Sequence, residues 1–443
     1  MDRLKGTPSG ALFGATLGFF IGFAAVALFG PTAARFQQVM HLSPLQVGFL
    51  VSMPALTGSL LRIPFSAWVD TTGGRRPFLV LLVASCIGMA GLTAVVHLLY
   101  PDRLTPALYP LLLLLALFCG CGIATFSVGI SQVSYWYPKE RQGVALAIFA
   151  GAGNLAPGLF SLLIPLALGR LGLGGAYLIW LTLLVTGTFL YWLLGRNAWY
   201  FQLREQGLTA EEARRRAAEM GQVLFPSASL AASLKASARV WQTWALVAIY
   251  FTTFGGFIAL TAWLPTYWTS FFGVSAVVAG LLTALYSILT SLVRILGGVL
   301  SDRLYEGGEN TAILALLIMM VGAIVMVSSR DFQLAVPGEI LLAFGMGITN
   351  AAVFKLVPQL VPHAVGGAAG WVGGLGAFGG FAIPPALAFA VEDIGQTGYA
   401  IGFVVFVFLA LTSLSIAWVL KYTRAPAAES GNTGKVASVA ARE

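Results

Sequence analysis

The chain has 443 residues, 58% of them hydrophobic and only 9% charged, with a mean hydropathy of +0.86. A soluble domain carries about 25% charged residues, so a string of soluble domains of about 150 residues each is excluded, because so few charges cannot cover their surfaces. The formal charge of +8 would suit a nucleic-acid binder, but the basic residues lie where membrane topology puts them, which excludes that reading too.

A membrane-spanning helix needs about 20 predominantly apolar residues. Twelve such segments can be read in order, at 10–35, 45–69, 76–99, 107–136, 141–168 and 174–195, then at 242–270, 275–301, 310–329, 333–359, 364–391 and 396–421. These are spans 1 to 12. Arg3 and Lys5 before the first run imitate a signal peptide, but the run is long and more spans follow, so it reads as span 1. A closed β-barrel would show segments of about ten residues with alternating polarity, and the sequence has none. Cys86, Cys119 and Cys121 all fall in apolar runs and read as buried thiols rather than a disulfide framework.

Residues 196–241 form the one long polar stretch and divide the spans six and six. Glu211, Glu212, Arg214, Arg215, Arg216 and Glu219 within it suggest a charged surface helix. The tail from about 422 is rich in Ala, Ser and Gly and reads as disordered. With the N-terminus in the cytoplasm, 18 of the 25 basic residues fall on the cytoplasmic side and 4 (Arg35, Arg103, Arg170 and Arg330) on the other. The positive-inside rule then places both termini inside. The remaining 3, Arg62, Arg294 and Lys355, lie within spans.

The two halves echo each other. Span 2 ends in Arg62-Ile-Pro-Phe-Ser-Ala-Trp-Val-Asp70 and span 8 in Arg294-Ile-Leu-Gly-Gly-Val-Leu-Ser-Asp302, both Arg-x7-Asp, at an offset of 232 residues. Paired six-span repeats around a central loop are the build of major facilitator carriers. The loop Asp70-Thr-Thr-Gly-Gly-Arg75-Arg76 resembles that superfamily's cytoplasmic signature, with Ser66 or Ala67 where the signature opens on glycine. The second copy keeps Gly298, Asp302 and Arg303. Asp70, Arg75, Asp302 and Arg303 are thus candidates for a conformational role.

Arg62 and Arg294 carry the strongest chemical signal. Each lies eight residues from an aspartate that marks a helix end, about 12 Å at 1.5 Å per residue, close to the half-thickness of about 15 Å of the hydrocarbon core. Both guanidiniums therefore start near the midplane, at equal depth, with no acidic residue at matching depth on any span. An embedded arginine costs about 2.5–3.5 kcal/mol on insertion scales. Two of them without carboxylates point to an anionic ligand, because a guanidinium presents a planar fork of donors and stays charged. The alternative is that each snorkels or bonds to backbone carbonyls.

Other residues are weaker signals. Gly374-x-Gly376-x-x-Gly379 imitates a dinucleotide fingerprint, but it lies in a spanning run with no strand before it. Its glycines suit close helix packing, or a close approach of backbone to a small substrate, and both can hold. The same applies to Gly151 and Gly153, while Asn154 adds an amide that needs a partner within the membrane. Tyr250 and Phe254, four apart on span 7, share a face. Lys355 reads as snorkelling to the cytoplasmic surface or as attracting anions. Glu339, near the outer end of span 10, is the acidic residue within a span, and therefore the candidate for proton coupling, with solvation at the interface as the alternative. His41, His97 and His363 lie near span ends and do not group. HExxH, GxSxG and GxxxxGK[ST] are all absent, so neither an enzyme nor ATP-driven transport by this chain is expected.

Across essentially all twelve spans, the sequence resembles the nitrate/nitrite porter (NarK-type) family of the major facilitator superfamily. The resemblance is carried by Leu61-Arg62-Ile-Pro64, Ala150-Gly-Ala-Gly-Asn154, Tyr250-Phe-Thr-Thr-Phe254-Gly, Val293-Arg294-Ile-Leu-Gly-Gly298 and Gly373-Gly-Leu-Gly-Ala-Phe-Gly-Gly380. The glycine-rich stretches in spans 5 and 11 are similar to the family's two nitrate signatures. The resemblance implies that Arg62 and Arg294 clamp the anion, that Tyr250 helps to hold it, that Phe254 and Phe126 pack over its plane, and that Asn154 lies near it. Pro157 departs from the family, which more often has a glycine soon after the asparagine.

An all-α membrane protein is therefore expected, with two pseudo-symmetric six-helix bundles (1–195 and 242–421), a linker and a cytoplasmic tail. It is expected to be a monomer in a bacterial inner membrane, exchanging nitrate for nitrite without a cofactor. A nitrate–proton symporter, a carrier of another small anion and a non-transporting anion sensor stand as alternatives.

Overall fold

The structure is a computed structural model and describes residues 4–226, 230–303 and 308–423. Among these residues all regular structure is helical. Spans 1 to 4 occupy Pro8–Met40, Pro44–Thr72, Arg75–Leu99 and Pro106–Trp136. Span 5 begins as Lys139–Asn154 and continues into the helix Ala156–Leu194, which turns into span 6 at Gly172, where φ is 68°. Spans 7 to 10 are Trp241–Phe272, Ala276–Asp302, Gly308–Ser328 and Phe332–Leu360; Pro362–Ile401 and Val404–Thr423 complete the set. Residues 424–443, most of the expected disordered tail, lie outside the described residues.

Local chemistry sets the helix starts. Proline occupies the first turn of spans 1 and 2, at Pro8 and Pro44, where its missing N–H leaves no bond unmade. Ser43 and Gln46 form a reciprocal cap, and the Asp331 carboxylate accepts from Gln333 N–H. Outward-facing Leu98, Val144, Ile295 and Phe408 are each more than half exposed, as expected for a belt solvated by lipid rather than water.

The six-span halves meet at the end opposite the linker, called here the far end, and again at the level of Arg62. A Cβ on Gly30 (span 1) would lie 2.6 Å from the Ala262 carbonyl oxygen of span 7, and one on Gly280 (span 8) 2.3 Å from the Ser161 oxygen of span 5. Small residues let these backbones touch. Leu45 N–H, at the start of span 2, donates to the Glu392 carboxylate of span 11 at 2.8 Å.

Among its described residues the linker holds three short helices, Trp199–Glu205, Ala210–Glu219 and Leu230–Ala238, where the charge pattern suggested one. The charged one, Ala210–Glu219, opens on a capping box of Thr209 and Glu212. The third docks on span 11: Gly367 N–H donates to Ser233 Oγ and Trp371 Nε1 to the Leu234 carbonyl, both at 3.0 Å.

Several spans lose regular α geometry near mid-depth. Span 1 becomes 3-10 at Ala24–Ala27, span 4 at Cys121–Ala124 and span 11 at Gly376–Phe378, and span 7 widens into a π turn at Phe251–Gly255. Such irregularity is tolerated in a bilayer only where protein buries it or a cavity receives it, which directs attention to the level of Arg62.

Candidate functional site

Arg62 is 1% exposed. Its Nε donates to the Gly58 carbonyl one turn back and its Nη1 to the Gly373 carbonyl of span 11, both at 3.0 Å, while Nη2 has no partner in the protein. The guanidinium lies over two rings, Phe126 at 4.9 Å and Phe254 at 5.3 Å, a cation–π arrangement. Bonding to backbone carbonyls was the alternative to an anion clamp, and two of the guanidinium nitrogens do this. The third remains free.

Arg294 comes from the opposite half and is half-buried. It lies 5.7 Å from the Phe354 ring, and its Nη1 has no partner. The groups that act on Arg62 electrostatically are Tyr250 and Arg294, with no carboxylate among them. The two arginines thus lie within electrostatic reach of each other but do not share an environment.

Tyr250 links them. Its ring stacks on Phe254 at 4.8 Å and 10° and meets Phe354 edge-on at 5.1 Å. Its hydroxyl is buried beside the Arg294 guanidinium, without a well-formed hydrogen bond, and within electrostatic reach of both guanidiniums. The π turn that follows Tyr250 explains its position. π turns interrupt α-helices mostly at functional sites, and this one packs against span 11, where a Cβ on Gly255 would lie 2.6 Å from Gly379 Cα. Asn154 is 3% exposed with an unpartnered amide oxygen, and its carbonyl accepts from Ser291 Oγ of span 8 at 3.2 Å. The α-helix of span 5 ends at Asn154, and Pro157 falls in the first turn of the next segment, so the proline accompanies a break there.

The glycines divide by surroundings. Gly151, like Gly373, has nothing within 4 Å of a built Cβ. A Cβ on Gly153 would lie 1.9 Å from the Phe19 ring, on Gly374 2.7 Å from Ile63, and on Gly376 2.7 Å from the Tyr250 ring. Side chains therefore fill the space beside Gly153, Gly374 and Gly376, which act here as packing positions; Gly376 makes room for Tyr250.

Of the signature-loop residues, Asp70, Arg75 and Asp302 lie toward the linker end, each fastened within its own half. Tyr135 Oη of span 4 donates to Asp70 at 2.5 Å. Lys355 Nζ of span 10 pairs with Asp302 at 2.7 Å and also donates to the Ser301 carbonyl. Lys355 does reach the linker end, but its charge is met by Asp302 rather than free to attract anions. Arg75 turns to span 6, donating from Nη2 to the Trp192 carbonyl at 2.8 Å. The Arg303 side chain lies outside the described residues.

Glu339 corrects an expectation. It is not solvated at an interface but 2% exposed, with Trp268 Nε1 donating to one carboxyl oxygen at 2.7 Å and the other oxygen unpartnered. Its position along span 10 gave its depth, but not the direction in which it points.

Sequence reasoning missed three features. Phe354 lies under Arg294 and against Tyr250. Asn350, one turn earlier, is 2% exposed with an unpartnered amide oxygen. Phe19 and Phe149 extend the Phe126 ring cluster, with Phe19 5.2 Å from Phe126 and 5.0 Å from Phe149. Asn350 and Phe354 four apart was the available signal.

The model of the Major Facilitator Superfamily matches residues 15–384 and 267–441. A Thermus thermophilus protein described as a probable nitrate/nitrite antiporter, NarK1, is 31% identical over 94% of this chain and 91% of its own length. A nitrite extrusion protein of Bacillus subtilis is 29% identical over 90% of this chain and 91% of its own. Among solved structures, a D-xylose–proton symporter aligns with a TM-score of 0.71 at 14% identity, covering 93% of this chain and 97% of that one; at that identity the likeness is one of fold alone. The family match, the aligned length of these relatives and the twelve-span architecture agree, and the chain belongs to the major facilitator superfamily, among its NarK-type nitrate/nitrite porters.

Proposed function

We propose that this protein is a secondary carrier of nitrate and nitrite, which exchanges one for the other by alternating access about Arg62 and Arg294. The observation that carries this reading is the pair of guanidiniums, one from each half, each with an unpartnered nitrogen and no carboxylate acting on Arg62. Tyr250 and Asn154 supply further polar atoms without partners, and Phe126 and Phe254 supply flat apolar faces suited to a planar anion. The relatives described as nitrate/nitrite antiporter and nitrite extrusion protein support the same substrates.

Exchange follows from charge. A bound monovalent anion leaves the site singly positive, whereas the empty site is doubly positive. Carrying that through an occluded, dehydrated state is costly, so the halves rock when loaded and stall when empty. In this reading residues 1–195 and 242–421 are the rocking bundles, and the linker and both termini face the cytoplasm, consistent with the distribution of basic residues. A second reading, nitrate–proton symport, rests on the buried carboxyl of Glu339.

Substrate choice is tested by calorimetric titration of nitrate into purified protein, with competitors present. Nitrite is expected to displace nitrate, while acetate and chloride at the same concentration leave it bound. Displacement by acetate and not by nitrite would assign the arginine pair to a carboxylate carrier.

A further inference from the structure

We propose that the linker end holds a second anion site, for the phosphodiester headgroup of an acidic phospholipid. It is a hollow of about 380 Å³ where spans 3 and 6 meet the N-terminal segment and the start of the linker. Four cations line it, Lys5, Arg75, Arg76 and Arg196, against one acid, Glu205. Glu205 lies 3.5 Å from Arg76 with both side chains about half exposed or more, a pairing worth little in water. Three positive charges remain in excess, and Arg75 and Arg196 are close enough to repel each other.

A framework of hydrogen bonds holds the repelling groups together. Arg75 N–H donates to Asn197 Oδ1 at 2.9 Å, and Arg75 Nη2 to the Trp192 carbonyl at 2.8 Å. Lys5 N–H donates to Gln202 Oε1 at 2.9 Å, and Gln202 Nε2 returns a bond to the Lys5 carbonyl at 2.7 Å. The backbone of the N-terminal segment is thereby tied to the linker beside the hollow. Arg75 Nε–H has no acceptor in the protein. A preorganised, under-neutralised basic hollow is what a phosphate recognises, and basic pockets at the ends of spans bind acidic headgroups.

The walls choose lipid over free phosphate. Trp192 and Leu193 line the hollow while 49% and 42% exposed, and Val80 and Val83 of span 3 are 45% and 48% exposed. Inorganic phosphate would use none of this apolar surface; acyl chains beneath a bound headgroup would cover it. None of these residues belongs to the Arg62–Arg294 site, so the proposal stands or falls separately from the transport reading.

The test is native mass spectrometry of the full-length protein in detergent, with equimolar phosphatidylglycerol and phosphatidylcholine. The wild type is expected to retain phosphatidylglycerol in preference, also in the presence of excess inorganic phosphate. The double variant Arg76→Gln/Arg196→Gln should lose about 30-fold of that preference, at about fivefold per surface cation, and Arg170→Gln at the far end should lose none. Thermal unfolding of each variant confirms that it is folded. Equal retention of the two lipids by the wild type, or undiminished preference in a double variant that unfolds at the wild-type temperature, would overturn the proposal. Complete release of the lipid by phosphate would reassign the hollow to free phosphate.

Discussion

Removing the Tyr250 hydroxyl separates a binding role from a structural one. In Tyr250→Phe the ring keeps its stack on Phe254 and its edge contact with Phe354. The hydroxyl that is lost is buried and makes no well-formed bond within the protein, having only the Arg294 guanidinium beside it. An unsatisfied buried polar group costs about 1–3 kcal/mol, so the empty variant should be at least as stable as the wild type. If the hydroxyl donates to the anion, the bond lost is charge-assisted and contributes about 1.5–3 kcal/mol, which converts to about a 10- to 150-fold weaker Kd at 1.36 kcal/mol per decade. Nitrate titration by calorimetry, paired with thermal unfolding in the same detergent, reads both quantities. A Kd within about threefold of wild type would refute the reasoning, as would weakened binding accompanied by a clear fall in Tm.

Three further outcomes follow from the same geometry. Arg62→Lys and Arg294→Lys keep charge but not the planar fork, so each should weaken nitrate binding by about tenfold or more, one charge-assisted bond's worth; only Arg62→Lys should also lower Tm, because it loses the bonds to the Gly58 and Gly373 carbonyls. Gly153→Ala should destabilise the fold, since its Cβ would lie 1.9 Å from the Phe19 ring, whereas Gly151→Ala meets nothing within 4 Å and should leave Tm unchanged; thermal unfolding distinguishes the two. Glu339→Gln keeps an acceptor for Trp268 Nε1 and should leave nitrite-driven nitrate uptake at the wild-type rate, while loss of pH-driven uptake in this variant would favour the symport reading.

The fold was legible because a bilayer imposes long apolar runs and punishes every charge within them. That is why Arg62 and Arg294, at one offset of 232 residues, stood out from the sequence alone. What a span's sequence does not report is which way a residue faces. Gly151 and Gly153 read alike, yet one meets open space and the other an aromatic ring. Glu339 looked interfacial by its position and is buried against Trp268. Lys355 could be placed by depth, but its pairing with Asp302 joins two spans that sequence spacing does not connect. The matched sequence positions of the arginines likewise concealed their asymmetry, since Arg62 is enclosed and tied to span 11 while Arg294 is half-buried.

The central claim is obligatory exchange at the arginine pair, and counterflow in proteoliposomes tests it most directly. Vesicles containing the purified protein are loaded with nitrite and given labelled nitrate outside, then compared with nitrite-free vesicles with and without an imposed pH gradient. The account predicts rapid uptake with internal nitrite and none in either nitrite-free condition. Uptake into nitrite-free vesicles driven by the pH gradient would contradict it.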